Sequence, residues 1–518
     1  MSGSFWGINI ALRGLYTSQK NLDVIAHNIN NASTPGYSRQ VAVQTASQPV
    51  MAYDGTGMIG TGSDVVAIER VRDEYLDYKY WSESLEYGEW SVKNTSLSDI
   101  EVAFNEISDS GFRKTFDEFF SALQELSKDA GNMGVRALVK ERGAVIANQL
   151  RSVAGKFERL QEDANRNIRV KVNQINSIAE QIKKLNDQIY RAELEGNIAN
   201  DLRDQRSVLI DKLSRIVNIE ATEVIAGKLP NGNENKKLVL SIAGKVLVDY
   251  HGVNKIVTVV REDGQKLNIN EDIDGLYDIQ WEDGSEFLLR GGELRGYIDI
   301  RDGNEGIDEG NGVSPVFKGV PYYIRKLNDF ARRFAEVFNE GYDDGQQKSG
   351  HVDGYDLYGN AGLRFFTING ENPEGDLPVD YYDRITAKNI GVNIEIVNDT
   401  GKIAAASIAG QNGNGENIRS IAEIRHFNGM YAEGAPEDYI KAIIVTMGID
   451  SQQAKRISDS QVGLVDQIQG RRDSISGVSI NEEMANMVKY QHAYNAAAKV
   501  ISVMAQLYEV LISKVGNL

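Results

Sequence analysis

The chain has 518 residues, with 56 basic against 74 acidic side chains, a formal net charge of −18 and a pI near 4.9. That balance argues against a general nucleic-acid binder, which needs a cationic face to displace counterions, and against docking on anionic lipid. Cysteine is absent, which excludes disulfides, thiolate nucleophiles, cysteine-bound zinc and iron–sulfur clusters, and only 8 prolines leave room for long helices.

The first ten residues hold neither a basic n-region nor an apolar core, so no cleavable secretory signal is expected. No stretch reaches the ~18 consecutive apolar residues of a membrane span. Ile8, Leu12, Leu15, Gln19, Leu22, Ala26 and Ile29 step alternately by four and three. This is a heptad seam with one polar break at Gln19, and Pro35-Gly36 ends it. From 100 to 219 the pattern is mostly helical. Val172, Ile175, Ile178, Ile182, Leu185 and Ile189 mark one face of a long helix, and Gly196-Asn197 interrupts it. Leu202, Leu209, Leu213 and Ile216 then mark a second helix, giving an antiparallel pair within a bundle.

The texture changes over 221–300. Leu238, Leu240 and Ile242, then Val246 and Val248, alternate with other residues, and Asp263-Gly264, Asp274-Gly275 and Asp283-Gly284 supply hairpin turns. Helix returns at 320–339, residues 341–415 are rich in Gly, Asn and Asp, and helical signal resumes over 417–469. At the C-terminus Ile480, Met484, Met487, Gln491, Tyr494, Ala498, Ile501, Ala505, Tyr508, Ile512 and Val515 repeat the heptad alternation, with a polar break at Gln491. Ser479 and Glu482 read as a capping box that starts this helix.

The expected fold is mainly α with an inserted β-rich domain. Residues 1–35 and 480–518 form a terminal coiled-coil assembly domain. Residues 36–220 and 301–479 form a mainly helical bundle, with 341–415 irregular, and 221–300 form an outer β-rich domain. Each terminal seam lacks a partner nearby in sequence, so the two ends pair with each other or with the ends of other copies. The assembly residues are Ile8, Leu12, Leu15, Leu22 and Ile29 on the first helix. On the last they are Met484, Met487, Tyr494, Ile501, Tyr508 and Ile512.

Chemistry is sparse. The five histidines include no pair at i, i+4, and no Walker lysine loop or nucleophile elbow is present. Asp302, Asn304 and Asp308 offer oxygen ligands for calcium, but without EF-hand spacing or a distal Glu they read as a solvated loop. No enzyme, cofactor or metal is expected.

The segment Asp23-Val24-Ile25-Ala26-His27-Asn28-Ile29-Asn30-Asn31-Ala32-Ser33-Thr34-Pro35-Gly36-Tyr37-Ser38-Arg39 resembles the N-terminal motif of the flagellar axial proteins, which build the rod, the hook and the hook–filament junction. Residues 474–484, with Gln491-His492-Ala493-Tyr494, resemble the matching C-terminal motif. Residues 195–206 and 291–302 resemble signatures of the hook-associated protein 1 family, and Ile403 to Ser407 and Gly415-Glu416-Asn417 fit as well. Residues 365–395 leave little room for the further outer domain of some members. The resemblance implies a structural junction protein that forms a homo-oligomeric ring. Its partners would be hook protein, hook-associated protein 3 and an export chaperone on the C-terminal helix. It would lie on the extracellular flagellum, having left the cell through the flagellar type III export channel. A secreted adhesin or enzyme, anchored by its helical ends and active in 221–415, is the alternative.

Overall fold

The computed structural model describes residues 6–51, 57–108, 112–194, 196–228, 234–343, 345–373 and 377–515. The expected terminal domain thus includes a few end residues, 1–5 and 516–518, that lie outside the described residues. Helix α1 (Trp6–Asn31) leads into a ribbon of β1 (Gln40–Ala46), β2 (Val50–Met51), β3 (Met58–Ile59) and β4 (Ser63–Arg70). In it β1 pairs with β4 and β2 with β3, all antiparallel. Four helices follow: α2 (Glu74–Ser108), α3 (Phe112–Lys128), α4 (Met133–Leu194) and α5 (Asn200–Ile216). The 62 residues of α4 contain no proline and make a rod roughly 93 Å long at 1.5 Å per residue.

Strands β5 (Glu220–Lys228), β6 (Glu234–Ile242) and β7 (Lys245–Val248) form an antiparallel sheet in that order, and β8 (Ile256–Val260) pairs with β9 (Tyr277–Trp281). Helices α6 (Gly292–Asp302) and α7 (Val320–Glu340) come next. The strand pairs β10 (Tyr342–Asp343) with β11 (Gln347–Lys348), and β12 (Phe366–Ile368) with β13 (Ile390–Val392), punctuate an otherwise irregular stretch. Short helices α8 (Ile394–Asn398) and α9 (Glu416–Ala422) precede the long α10 (Pro436–Ser476) and α11 (Ile480–Val515).

Two apolar cores lie along α4. Its N-terminal half, from Val139 to Ala164, packs with α3, α7, α9 and the irregular stretch around Phe365, Phe366, Ile390 and Ile403. Its C-terminal half, from Ile168 to Ile182, packs with α5 and with Leu238, Leu240, Ile242, Leu247, Ile256 and Trp281 of the strands. The strands over 220–281 therefore share one core with α4 and α5, because a three-stranded sheet and a hairpin bury too little apolar surface between themselves. The expected domain boundary at 300 falls inside α6. The reason is local: Gly291-Gly292 starts that helix against the end of α5. At Gly292 (φ +87°) a Cβ would stand 2.5 Å from the Ile216 carbonyl oxygen. Glu293 in its first turn then binds Lys171 at 2.6 Å and Arg215 at 2.8 Å.

A buried polar layer separates the two cores where α4 passes from one to the other. Gln161 donates to Asp272 and to the Arg301 carbonyl, both at 2.9 Å, and accepts from the Ile273 N–H at 3.1 Å. Every hydrogen-bonding direction it uses ends on a partner, so the layer is tolerated inside the fold.

Candidate assembly joint and terminal rod

Helices α1 and α11 pair antiparallel along the rod formed by the two chain ends. A Cβ at Gly7 would meet Met504 Cε, and one at Gly14 would lie 4.0 Å from Ala497 Cβ. Asn28 donates to Glu483 at 3.3 Å. Seven residues forward on α1 are thus matched by seven back on α11, and fourteen by fourteen, which is a constant heptad register. The contact position of α1 holds Gly7, Gly14 and Asn28, so small residues bring the two backbones close.

The structure moves part of the expected seam. On α1 the buried row is Ala11, Ser18, Asn21, Ile25 and Asn28, one residue back from the large apolar row read from sequence. Ile8, Leu15, Leu22 and Ile29 are half-buried, and Leu12 and Gln19 are exposed. On α11, Met487, Tyr494, Ile501 and Tyr508 are half-buried, with Tyr490, Ala497 and Met504 beside them. Met484 and Ile512 are exposed, and so is Gln491, which breaks no seam because it lies off the contact face. The expected cap of α11 is present in weak form: the Ser479 Oγ accepts from the Glu482 N–H at 3.4 Å.

At the root of this rod the sequence motifs meet. Asn28, at the end of α1, accepts from the Tyr37 hydroxyl at 2.8 Å and from the Gln40 N–H at 2.9 Å, and donates to the Gln40 carbonyl at 2.9 Å. One asparagine thereby fixes the turn through Pro35-Gly36 that reverses the chain into β1. Burial, reinforced by Asp201, Asp204 and Glu483, pushes the Tyr37 hydroxyl well above its ordinary range, so it stays a donor. Asp204 of α5 accepts from the Ser38 N–H at 2.7 Å and the Ser38 hydroxyl at 2.8 Å, and pairs with Arg70 at 2.9 Å. Asn200 donates to the Ile68 carbonyl at 2.8 Å, and Gln40 donates to Asp201 at 2.6 Å.

The C-terminal motif closes the joint. The Arg39 N–H donates to the Ser476 carbonyl at 2.7 Å, and the Arg39 guanidinium lies 3.3 Å from Glu482. Arg472, near the end of α10, binds Asp77 and Asp211, each at 2.9 Å. Arg206 is buried and pairs with Glu223 at 2.6 Å, and desolvation lowers its pKa to about 10, with Glu223 opposing that shift. Sequence reading does not single out Asn28, Ser38, Asp204 or Glu483 for these roles. Their signal is their place inside the two motifs and the 195–206 segment, not their residue types.

Elsewhere the chemistry is structural. The solvated loop expected at Asp302, Asn304 and Asp308 holds only for Asp308, which is exposed: Asp302 ends α6 and is buried against Arg301 at 2.6 Å and Arg261 at 3.4 Å, and the buried Asn304 donates to Asn268 and accepts from Arg325. These guanidinium groups already occupy the carboxylate that a calcium ion would need. Among the described residues no cluster of three or more His, Cys, Asp or Glu side chains is placed to hold a metal, and no helix is long and apolar enough to cross a membrane.

The geometry defines a protein whose two ends form one rod, rooted on a long-helix body. Residues 97–366 match the family described as the flagellar hook-associated protein FlgK helical domain. Residues 8–37 match the flagella basal body rod protein family, and 470–514 the C-terminal family of the flagellar basal body rod FlgEFG proteins. Flagellar hook-associated protein 1 of Bacillus subtilis (strain 168) is 30% identical, covering 100% of this chain and 99% of its own length. That of Escherichia coli (strain K12) is 24% identical over 98% of this chain and 99% of its own. The flagellar hook junction protein FlgK from Burkholderia pseudomallei shares the fold, with a TM-score of 0.58 and 14% identity, over 77% of this chain and 100% of that one. The chain belongs to the flagellar hook-associated protein 1 family.

Proposed function

We propose that this chain is a structural component of the bacterial flagellum that joins hook to filament and polymerises through its terminal helices. The observation that carries the reading is the joint itself, in which the N-terminal motif, the 195–206 motif and the C-terminal motif are bound to one another by Asn28, Asp204 and Arg39. Such a joint holds the rod in a fixed direction relative to the body, as a subunit rooted in a tubular assembly requires. On this reading the chain forms a ring of identical copies, with hook protein below and hook-associated protein 3 above. It travels unfolded through the flagellar export channel, and a chaperone covers α11 before assembly. It has no catalytic role.

Electron microscopy of a strain lacking the gene tests this. Hooks without filaments, with filament protein in the medium, are the expected result. Intact filaments in that strain would overturn the proposal.

A further inference from the structure

Lys93 of α2 is buried with its ammonium between two carboxylates. Its Nζ stands 2.7 Å from Asp299 Oδ2 of α6 and 2.5 Å from Glu89 Oε1, one turn back on its own helix. Lys93 and Asp299 are only 4% and 3% exposed, whereas other paired lysines such as Lys171 and Lys245 keep a fifth or more of the side chain in solvent. The walls are aromatic: the ring centres of Trp90 and Phe317 lie 4.8 Å and 4.5 Å from Nζ. Gly296 makes the approach possible. A Cβ there would stand 2.8 Å from the Glu89 carbonyl oxygen, so α6 crosses α2 closely enough for Asp299, three residues on, to reach Lys93. On the far side of the Asp299 carboxylate, Oδ1 is buried without a hydrogen bond, and the Arg295 Nε lies 2.8 Å from it. A buried ion pair offsets its desolvation only when its remaining lone pairs are satisfied, and here Oδ1 is not.

We propose that Lys93 and Asp299 condense into an isopeptide bond once the chain has folded, with Glu89 carrying the protons. The Lys93 ammonium gives one proton through Glu89 to Asp299 Oδ2, leaving an amine and a carboxylic acid. The Nζ lone pair attacks Asp299 Cγ, and the negative charge that develops on Oδ1 faces the Arg295 guanidinium. Glu89 takes a second proton from Nζ and passes it to Oδ2, which leaves as water. One ammonium and one carboxylate become one amide and one water, Glu89 ends as it began, and no other reactant enters. Two charges vanish from a buried, aromatic site, and the fold supplies the proximity and the exclusion of water that a free lysine and aspartate lack. The reaction occurs once per chain and nothing turns over. It goes beyond the junction reading and does not depend on it. The two residues sit on helices far apart in sequence, so a chain that travels unfolded acquires the bond on folding at its destination. The bond clamps α2 to α6 in a chain that has no cysteine for a disulfide.

Mass spectrometry of the purified, folded full-length chain reads the bond directly. After denaturation the chain should weigh one water less than its sequence. Trypsin should leave Lys93 uncut, inside a branched peptide that also contains Asp299. A folded chain at full mass, with Lys93 cut normally, would overturn the proposal. A missing water that maps instead to a succinimide at an Asp-Gly pair such as Asp283-Gly284 would overturn it equally. Asp299→Ala should restore the full mass. If that variant does not fold, the peptide map of the parent chain still decides, since it needs no substitution. Glu89→Gln keeps both reacting residues and should hold the full mass with unchanged helical circular dichroism. The branched peptide forming at the parent rate in Glu89→Gln, followed during refolding from denaturant, would remove Glu89 from the reaction.

Discussion

Asn28 and Glu483 stand 455 positions apart in the chain and share a hydrogen bond of 3.3 Å inside the fold. Both are buried, and Asn28 also fixes the turn into β1, so one polar contact ties the direction of the rod to the path of the chain leaving it. A packed apolar contact would hold the two helices together without fixing their rotation. A directional bond does both.

The rod's tolerance at its contact face differs with the size of the side chain placed there. At Gly14 a Cβ has ordinary room, 4.0 Å from Ala497 Cβ. Gly14→Ala should raise stability by about 0.5–1 kcal/mol through helix propensity. Gly14→Leu should force the helices apart. Amide hydrogen exchange over α1 and α11 reads both, with slower exchange expected for Gly14→Ala and faster for Gly14→Leu. Equal exchange in the two variants would mean the face is not packed there.

At the joint, Asp204→Ala leaves Arg70 without its acidic partner and Ser38 without an acceptor. Breaking a buried pair from one side costs about 3–5 kcal/mol. Chemical denaturation should show a loss of that order, and hydrogen exchange should accelerate over residues 34–40 before it does over α4. A loss below about 1 kcal/mol, on the scale of an exposed pair, would mean the joint is solvated.

Glu271 sets a pH dependence. Burial, then the nearby Glu309 carboxylate, raise its pKa from an ordinary 4.5 to about 8, with Asp272 and Asp329 adding to the shift and Arg325 opposing it. As pH rises from 4.5 to 8, the unfolded chain gives up this proton while the folded chain retains it. Stability from this group is therefore full below pH 4.5 and lost as pH rises through about 8. Glu271→Gln should melt at a higher temperature than the parent near the upper end of that window, with the gap closing toward its lower end. A gap that stays constant across the window would exclude the carboxyl as its source.

Removing residues 220–281 and joining the ends with a flexible linker should fail to give a folded remainder. The strands cover Ile168, Val172, Ile175 and Ile182 of α4, and deletion would expose that row. Loss of helical circular dichroism or aggregation is the expected result. Retention of a cooperative melt would show that the second core is dispensable.

Much of this fold is legible in the sequence. The long helices follow from periodicity, and Asp283-Gly284 turns the chain back between Trp281 and Ser285 as expected. Asp263-Gly264 and Asp274-Gly275 instead lie in the long connection between β8 and β9, the first in a single 3-10 turn, and the tight turn between β6 and β7 is Ala243-Gly244. Periodicity marks the two chain ends as seams in need of a partner but leaves open whether that partner is the other end or another copy. The contact face of α1 is not legible, because pattern reading follows large apolar side chains. Gly7, Gly14, Ser18 and Asn28 carry the contact by being small or by hydrogen bonding, and they leave Ile8, Leu12 and Leu15 for the flank. On α11 one row, Met487, Tyr494, Ile501 and Tyr508, is common to both readings, while Met484 and Gln491 give way to Glu483 and Tyr490. The shared core of strands and helices is hidden too, since alternation along Leu238–Ile242 says which side faces inward and not what lies there.

Helix α4 runs unbroken through both cores, with Gln161 at the crossing. A helix cannot unwind at one end of a core while its next turns remain clamped in another without losing hydrogen bonds along its length. The body of the protein should therefore absorb heat in a single calorimetric transition, with van't Hoff and calorimetric enthalpies in agreement. A pull on the strand side is felt at once on the α7 side, which makes the body a strut under load rather than two beads on a string.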